Sequence, residues 1–208
     1  MNKKELAILI SSLKGFENRD VKLEQYPTPG EIVADVLWNA NSNNDIKNMI
    51  VADLGCGTGF FGYGALILGA KKVYFVDKDS DALNIAKENK VILENKLGLK
   101  FKTKFICSDV VSFDKKVDVV LQNPPFGVQE EHADRVFLEV AFEYADVVYS
   151  LHKAMTINFL KKFSSDNNFE IVNVYSYKFP LKASFKFHKS AVKDIDVVCV
   201  RFVKGNDL

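Results

Sequence analysis

Apolar positions in this chain switch between two periods. Leu6, Leu9, Ile10 and Leu13 keep helical spacing, so the segment up to about Gly15 reads as an amphipathic helix. A second helix start lies in "EQYPTPGEIVADVLWNA", where Thr28 suits the N-cap, Pro29 the first turn and Glu31 the capping-box position. An Asn- and Asp-rich loop from Asn39 to Asn48 is expected to set this N-terminal helical region apart. From Ile50 onward, short apolar runs alternate with helical patterns. Strands are expected at "MIVADL", "KVYFVD", "KFICSDV", "VDVVLQ" and "VVYSL". Helices are expected from about Phe60, from about Ser80 with Ala82, Ile85, Ala86 and Asn89 on one face, around Phe137 to Ala145, and near Thr156 to Phe163. Two late strands, "EIVNVYSY" and "DIDVVCVRF", have no helix between them and suggest an antiparallel edge. Strand-helix alternation predicts an α/β, doubly wound, mostly parallel sheet with an N-terminal helical extension.

Composition narrows this without redirecting it. A chain of 208 residues, 48% hydrophobic, can bury one substantial core, so a single domain over 1–208 is expected, with 1–48 as the helical region and 49–208 as a Rossmann-like core. Lys and Arg total 28 against 27 Asp and Glu, so the net charge of +1 exerts no global pull toward nucleic acid or membrane. Any basic surface must be local. Three widely spaced cysteines, Cys56, Cys107 and Cys199, fit reduced thiols in the cytoplasm; no CxxC pair suggests a metal. Nothing approaches the roughly 20 apolar residues of a membrane-spanning helix.

In a doubly wound sheet, ligands bind beyond the carboxyl ends of the strands, so the residues there carry the chemistry. The first strand ends in "DLGCGTGFF": Asp53, then Gly55, Gly57 and Gly59 at alternate positions, with Thr58 and Phe60 between and after. Glycines let the backbone turn tightly and approach a ligand. The GxGxG spacing departs from the GxGxxG of dinucleotide sites and fits a carboxylate and amine in place of phosphates. The second strand ends at Asp77, able to accept from two ribose hydroxyls or to cap the helix that follows. The third ends in Ser108-Asp109-Val110, which offers a carboxylate and an apolar side chain to an adenine, or begins a turn. The fourth ends in Asn123-Pro124-Pro125-Phe126-Gly127, a rigid loop that either stops the strand or serves a ligand.

The series "DLGCGTG", "VDKD", "SDV" and "NPPFG" resembles the class I S-adenosylmethionine-dependent methyltransferases, in a form used on exocyclic amino nitrogens. More closely, "LEQYPTP", "NPPFG", "YSLHK" and "ASFKFHK" are similar to the methyltransferase-like protein 5 family, which methylates an adenine in small-subunit ribosomal RNA. The resemblance runs from Leu23 to Phe202. It implies S-adenosyl-L-methionine as cofactor, with Gln25 and Thr28 joining Asp53, Gly55, Thr58, Phe60, Asp77, Asp109 and Val110 around it. Eukaryotic relatives often carry cysteine where this chain has Thr58, which leaves the glycine geometry intact. The resemblance further implies an RNA partner and a small zinc-ribbon activator subunit that adds a strand to the sheet.

On that reading the opening of the fourth-strand loop becomes a clamp. The Asn123 side-chain carbonyl and the Pro124 backbone carbonyl accept from the target amino group, Pro124 and Pro125 stiffen the site, and Phe126 stacks on the base for about 1–3 kcal/mol. Catalysis then comes from positioning, with no dedicated general base. Between Ile171 and Lys193 there is no acidic residue, while Lys178, Lys182, Lys186, Lys189, Lys193 and His188 interleave with Tyr175, Tyr177, Phe179, Phe185 and Phe187. Lys182, Lys186, His188 and Lys189 are the candidate RNA contacts; the competing reading is a solvated lysine face over packed aromatics. His152 reads as a satisfied structural histidine. Two other functions share these motifs: protein glutamine methylation, and a catalytically silent RNA-binding scaffold.

Overall fold

The sheet is built from β-branched and aromatic runs that alternate faces. In β1 (Ile50–Leu54), Val51 joins one buried cluster and Ala52 the other; in β4 (Val117–Gln122), Val119 and Val120 divide the same way. The computed structural model describes residues 1–16, 28–126, 133–181 and 193–205. In chain order the helices are α1 (Lys3–Ser11), α2 (Gly30–Ser42), α3 (Phe60–Ile67), α4 (Ser80–Leu97), α5 (Ala133–Tyr144) and α6 (Ile157–Asp166). The remaining strands are β2 (Lys72–Asp77), β3 (Thr103–Cys107), β5 (Ala145–Lys153), β6 (Phe169–Leu181) and β7 (Lys193–Lys204).

The strand order is β3-β2-β1-β4-β5-β7-β6, parallel from β3 to β5, with β7 antiparallel to both β5 and β6. The expected antiparallel pair is present, but the later strand lies inside and β6 takes the edge. One face of the sheet is covered by α1 to α4 through Leu6, Ile10, Val33, Leu37, Tyr63 and Leu83; the other is covered by α5 and α6 through Leu138, Ala141 and Leu160. Each buried Leu, Ile or Val side chain among these contributes about 1.5–3 kcal/mol by leaving water.

Three local expectations need correction. Thr28 does not cap α2: Pro29 occupies that position with no side-chain cap bond, because the Thr28 hydroxyl is engaged elsewhere. The Asn-rich loop begins later than Asn39. The Asn39 amide donates to Asp35 one turn back at 3.2 Å, which keeps it helical, and the left-handed residues that turn the chain are Asn44 and Asn48. On α4, Leu83 and Leu93 are buried with Ala82, Ala86 and Asn89, while Ile85 is only half-buried. The N-terminal helices are tied to the far end of the sheet by polar contacts. Tyr177 of β6 donates to Asp35 at 2.8 Å, and Asp45 accepts from Tyr149 at 2.7 Å and from Arg201 Nε at 2.8 Å.

Candidate active site

The glycine loop after β1 works through left-handed backbone. Gly55, Gly57 and Gly59 have φ of 64°, 51° and 90°, which L side chains rarely adopt. Space is also short: a Cβ on Gly55 would lie 2.9 Å from Phe137 and one on Gly57 would lie 2.7 Å from Phe16. Asp53 turns beneath the loop and accepts from the Gly62 amide at 2.8 Å, holding the first turn of α3. Burial pushes the Asp53 carboxyl up to about 7, against the Gly62 hydrogen bond, with the nearby Asp77 charge pushing it further up. Phe60, half-buried, opens α3.

Asp77, at the end of β2, spans the loop and the next turn. Its Oδ2 accepts from the Gly57 amide at 2.7 Å and its Oδ1 from the Asp79 amide at 2.9 Å. The helix cap itself is Asp79, which accepts from the amides of Asp81 and Ala82. Asp77 is therefore a strand-end carboxylate and leaves capping to its neighbour; burial raises its pKa against those two backbone bonds. Ser108 donates its amide to the Asp77 carbonyl at 3.0 Å, and its Oγ is buried with no hydrogen-bond partner among the described residues. Asp109 accepts from the Val111 amide at 3.2 Å and starts a 3-10 turn, Val110–Ser112; the Val110 side chain is 7% exposed and lies in the core. Asp109 thus begins a turn, the second of the two readings open for it.

Thr58 is buried, and its carbonyl accepts from Asn89 at 3.1 Å. Asn89, fully buried on α4, also accepts from the Lys14 amide at 2.8 Å and donates to the Lys14 carbonyl at 2.9 Å. One amide therefore staples the segment after α1 to the glycine loop, with Phe16 laid against Gly57.

At the end of β4 the backbone leaves the sheet at Asn123, beside buried Pro124 and half-buried Pro125 and Phe126. Asn123 Nδ2 donates to Thr28 Oγ1 at 2.9 Å, and Asn123 Oδ1 is buried with no partner among the described residues. The Phe126 ring meets the buried Phe179 ring of β6 edge-on at 5.8 Å. One residue earlier, Gln122 Nε2 donates to Ser150 Oγ at 3.0 Å, and Ser150 Oγ lies 2.7 Å from His152 Nε2. His152 Nδ1 lies 3.4 Å from Asp134. His152 is 1% exposed and has partners on both ring nitrogens, as a satisfied structural histidine should.

Gln25, Lys182, Lys186, His188 and Lys189 lie outside the described residues, as do Phe185 and Phe187. In the described part of that segment the aromatics are structural. Tyr177 bonds to Asp35, Phe179 is core, and Lys178 is paired with Asp196 at 2.6 Å. Sequence reading took Phe137 only as a helix position and also missed Phe16, an isolated aromatic with no periodic signal. Asn89 did carry one: an amide in the middle of an apolar helix face.

Residues 33–151 match the methyltransferase small domain family. Over 97% of its length the chain is 38% identical to the rRNA N(6)-adenosine-methyltransferase METTL5 of Danio rerio, covering 99% of that protein. The chain belongs to the methyltransferase-like protein 5 family. A Drosophila melanogaster member, also named an rRNA N(6)-adenosine-methyltransferase, is 34% identical over 98% of the chain and 97% of its own length. The crystal structure of PH1948, a candidate RNA methyltransferase from Pyrococcus horikoshii, superposes with a TM-score of 0.90 at 45% identity, covering 99% of both chains. As a class I methyltransferase family, this one uses S-adenosylmethionine, and the site here fits that cofactor. The glycine loop leaves no room for side chains, Asp77 stands at the second strand end, and Ser108 Oγ and Asn123 Oδ1 are buried without partners among the described residues.

Proposed function

We propose that this protein transfers a methyl group from S-adenosyl-L-methionine to the exocyclic N6 of an adenine in structured RNA, with small-subunit ribosomal RNA as the substrate. The observation that carries this reading is Asn123 Oδ1, a buried acceptor without a partner among the described residues, at the mouth of the site. Leaving such a group unpaired costs about 1–3 kcal/mol, which a substrate N–H recovers on binding.

When bound, the cofactor supplies an electrophilic methyl group on a sulfonium sulfur. Asp77 and the glycine loop would hold its ribose and amino-acid ends and Asp109 and Val110 its adenine, with Thr58 and Phe60 beside them; the family resemblance adds Gln25 to this set. An adenine amino nitrogen is a weak nucleophile because its lone pair is drawn into the ring. Asn123 Oδ1 and the Pro124 carbonyl each accept one of its hydrogens, which turns the lone pair toward the methyl carbon. Phe126, backed by Phe179, takes the face of a base drawn out of its stack. The proton shed by the methylated nitrogen passes to water. Lys182, Lys186, His188 and Lys189 grip the RNA backbone.

The small zinc-ribbon subunit implied by the family would extend the sheet at the β3 edge, which exposed Leu99 and Val111 flank. No helix among the described residues is long and apolar enough to cross a membrane, and free thiols suit the cytoplasm. The test is incubation with methyl-labelled cofactor and small-subunit ribosomal RNA, followed by nucleoside chromatography. Label in N6-methyladenosine is expected; label in protein glutamine instead would overturn the RNA assignment.

A further inference from the structure

An asparagine amide has two ends of opposite character. Only the oxygen end can accept from a methyl-accepting amino group; the nitrogen end would meet it donor to donor. In this structure the nitrogen is occupied. Thr28 Oγ1 accepts from it at 2.9 Å, which leaves Oδ1 as the free end. Thr28 is well suited to hold that position. It stands directly before Pro29, which restricts its backbone. Its β-branched side chain has few rotamers, and it is 7% exposed. It leads directly into α2, whose Val33, Val36 and Leu37 are fully buried, so the hydroxyl is mounted on a rigid element. The sequence resemblance puts Thr28 among the cofactor contacts, and helix capping would have been its other use. The structure shows a third role in its contact with Asn123.

We infer that Thr28 is a positioning residue for methyl transfer, acting through Asn123 by holding the amide nitrogen so that the oxygen faces the target amino group. The inference rests on reading Asn123 as the acceptor for that group. It also gives the N-terminal region a part in the chemistry: the arm that carries Thr28 sets the reactive end of a residue 95 positions away.

The test uses the full chain with Thr28→Val, which keeps the shape and removes the acceptor, Thr28→Ser, which restores the hydroxyl, and Asn123→Ala alone and combined with Thr28→Val. Thermal unfolding first establishes that each variant is folded; if Thr28→Val is not, Thr28→Ala takes its place. Turnover at saturating cofactor and RNA, and cofactor affinity by calorimetry, are then compared. Thr28→Val should lower turnover about tenfold, a hydrogen bond's worth, and that loss should persist at saturating cofactor whatever the change in cofactor Kd. Thr28→Ser should recover most of that loss. Asn123→Ala should lower turnover at least about a hundredfold, and adding Thr28→Val to it should lower it no further. Unchanged turnover in Asn123→Ala would bring down the reading of Asn123 itself. A loss in Asn123→Ala without one in Thr28→Val would overturn only the role of Thr28. Weakened cofactor binding with turnover retained at saturation would return Thr28 to the cofactor site.

Discussion

Asp53 is 2% exposed, and among the described residues it accepts one hydrogen bond, from a backbone amide, and has no cation beside it, so ionising it is costly. With its pKa raised from 3.8 to about 7, the folded state holds this proton more tightly than the unfolded chain. Its contribution to stability is complete below about pH 4 and falls as pH rises toward 7, by which point the loss amounts to roughly 4 kcal/mol. Asp53→Asn keeps an acceptor for Gly62 without the charge. The variant should match wild type near pH 4 and exceed it above pH 7 in denaturant midpoint; parallel pH curves would mean that Asp53 ionises without penalty. Asp77 calls for a different measurement. Asp77→Ala should raise cofactor Kd by more than about tenfold while the fold survives, because a charged acceptor is lost both to the ligand and to the Gly57 amide. Calorimetry showing an unchanged Kd would take Asp77 out of the site. These strand-end residues were legible in the sequence because each follows an apolar run whose end is marked by Gly, Pro or Asp. The Thr28–Asn123 contact was not, since nothing in a linear pattern says which hydroxyl will meet which amide.

Elements were read most accurately where periodicity and punctuation agreed. The starts of α3 and α4 and the whole of β2 and β4 fall where the sequence puts them, each bounded by glycine, proline or a capping side chain. The misplacements occur where a long-range contact overrides local preference. Thr28 gives up its cap for Asn123, and the Asn-rich segment stays helical to Ser42. The same dependence makes the link between the turn after α2 and the sheet testable. Asp45 and Arg201 are 10% and 14% exposed, and the guanidinium meets both carboxylate oxygens, at 2.8 and 3.3 Å. Asp45→Ala strands a nearly buried cation and should cost about 3–5 kcal/mol in chemical denaturation. Asp45→Ala with Arg201→Met should cost clearly less than Asp45→Ala alone. Equal losses would show that packing around Asp45, and not its charge, holds the turn.

For the whole molecule, a net charge of +1 means that RNA affinity must come from a local patch. Lys178 is already paired with Asp196, so it is a poor member of that patch, and the test falls on Lys182, Lys186 and Lys189. Changing these three to Gln should flatten the log-log salt dependence of RNA binding by about 0.7–0.9 per lysine in contact with phosphate, with cofactor affinity unchanged. Equal slopes in filter-binding titrations would leave the lysines as a solvated face. The strand order, which no single-sequence pattern revealed, bears on how such a molecule comes into being. β6 is made before β7 yet reaches the sheet only through it, so the growing chain must hold β6 apart until β7 has left the ribosome. Phe179 travels with β6, and it is the ring that backs Phe126. A nascent chain that already displays the complete glycine loop and the Asn-Pro-Pro-Phe motif would therefore still lack the wall behind its base-stacking ring until β7 has paired.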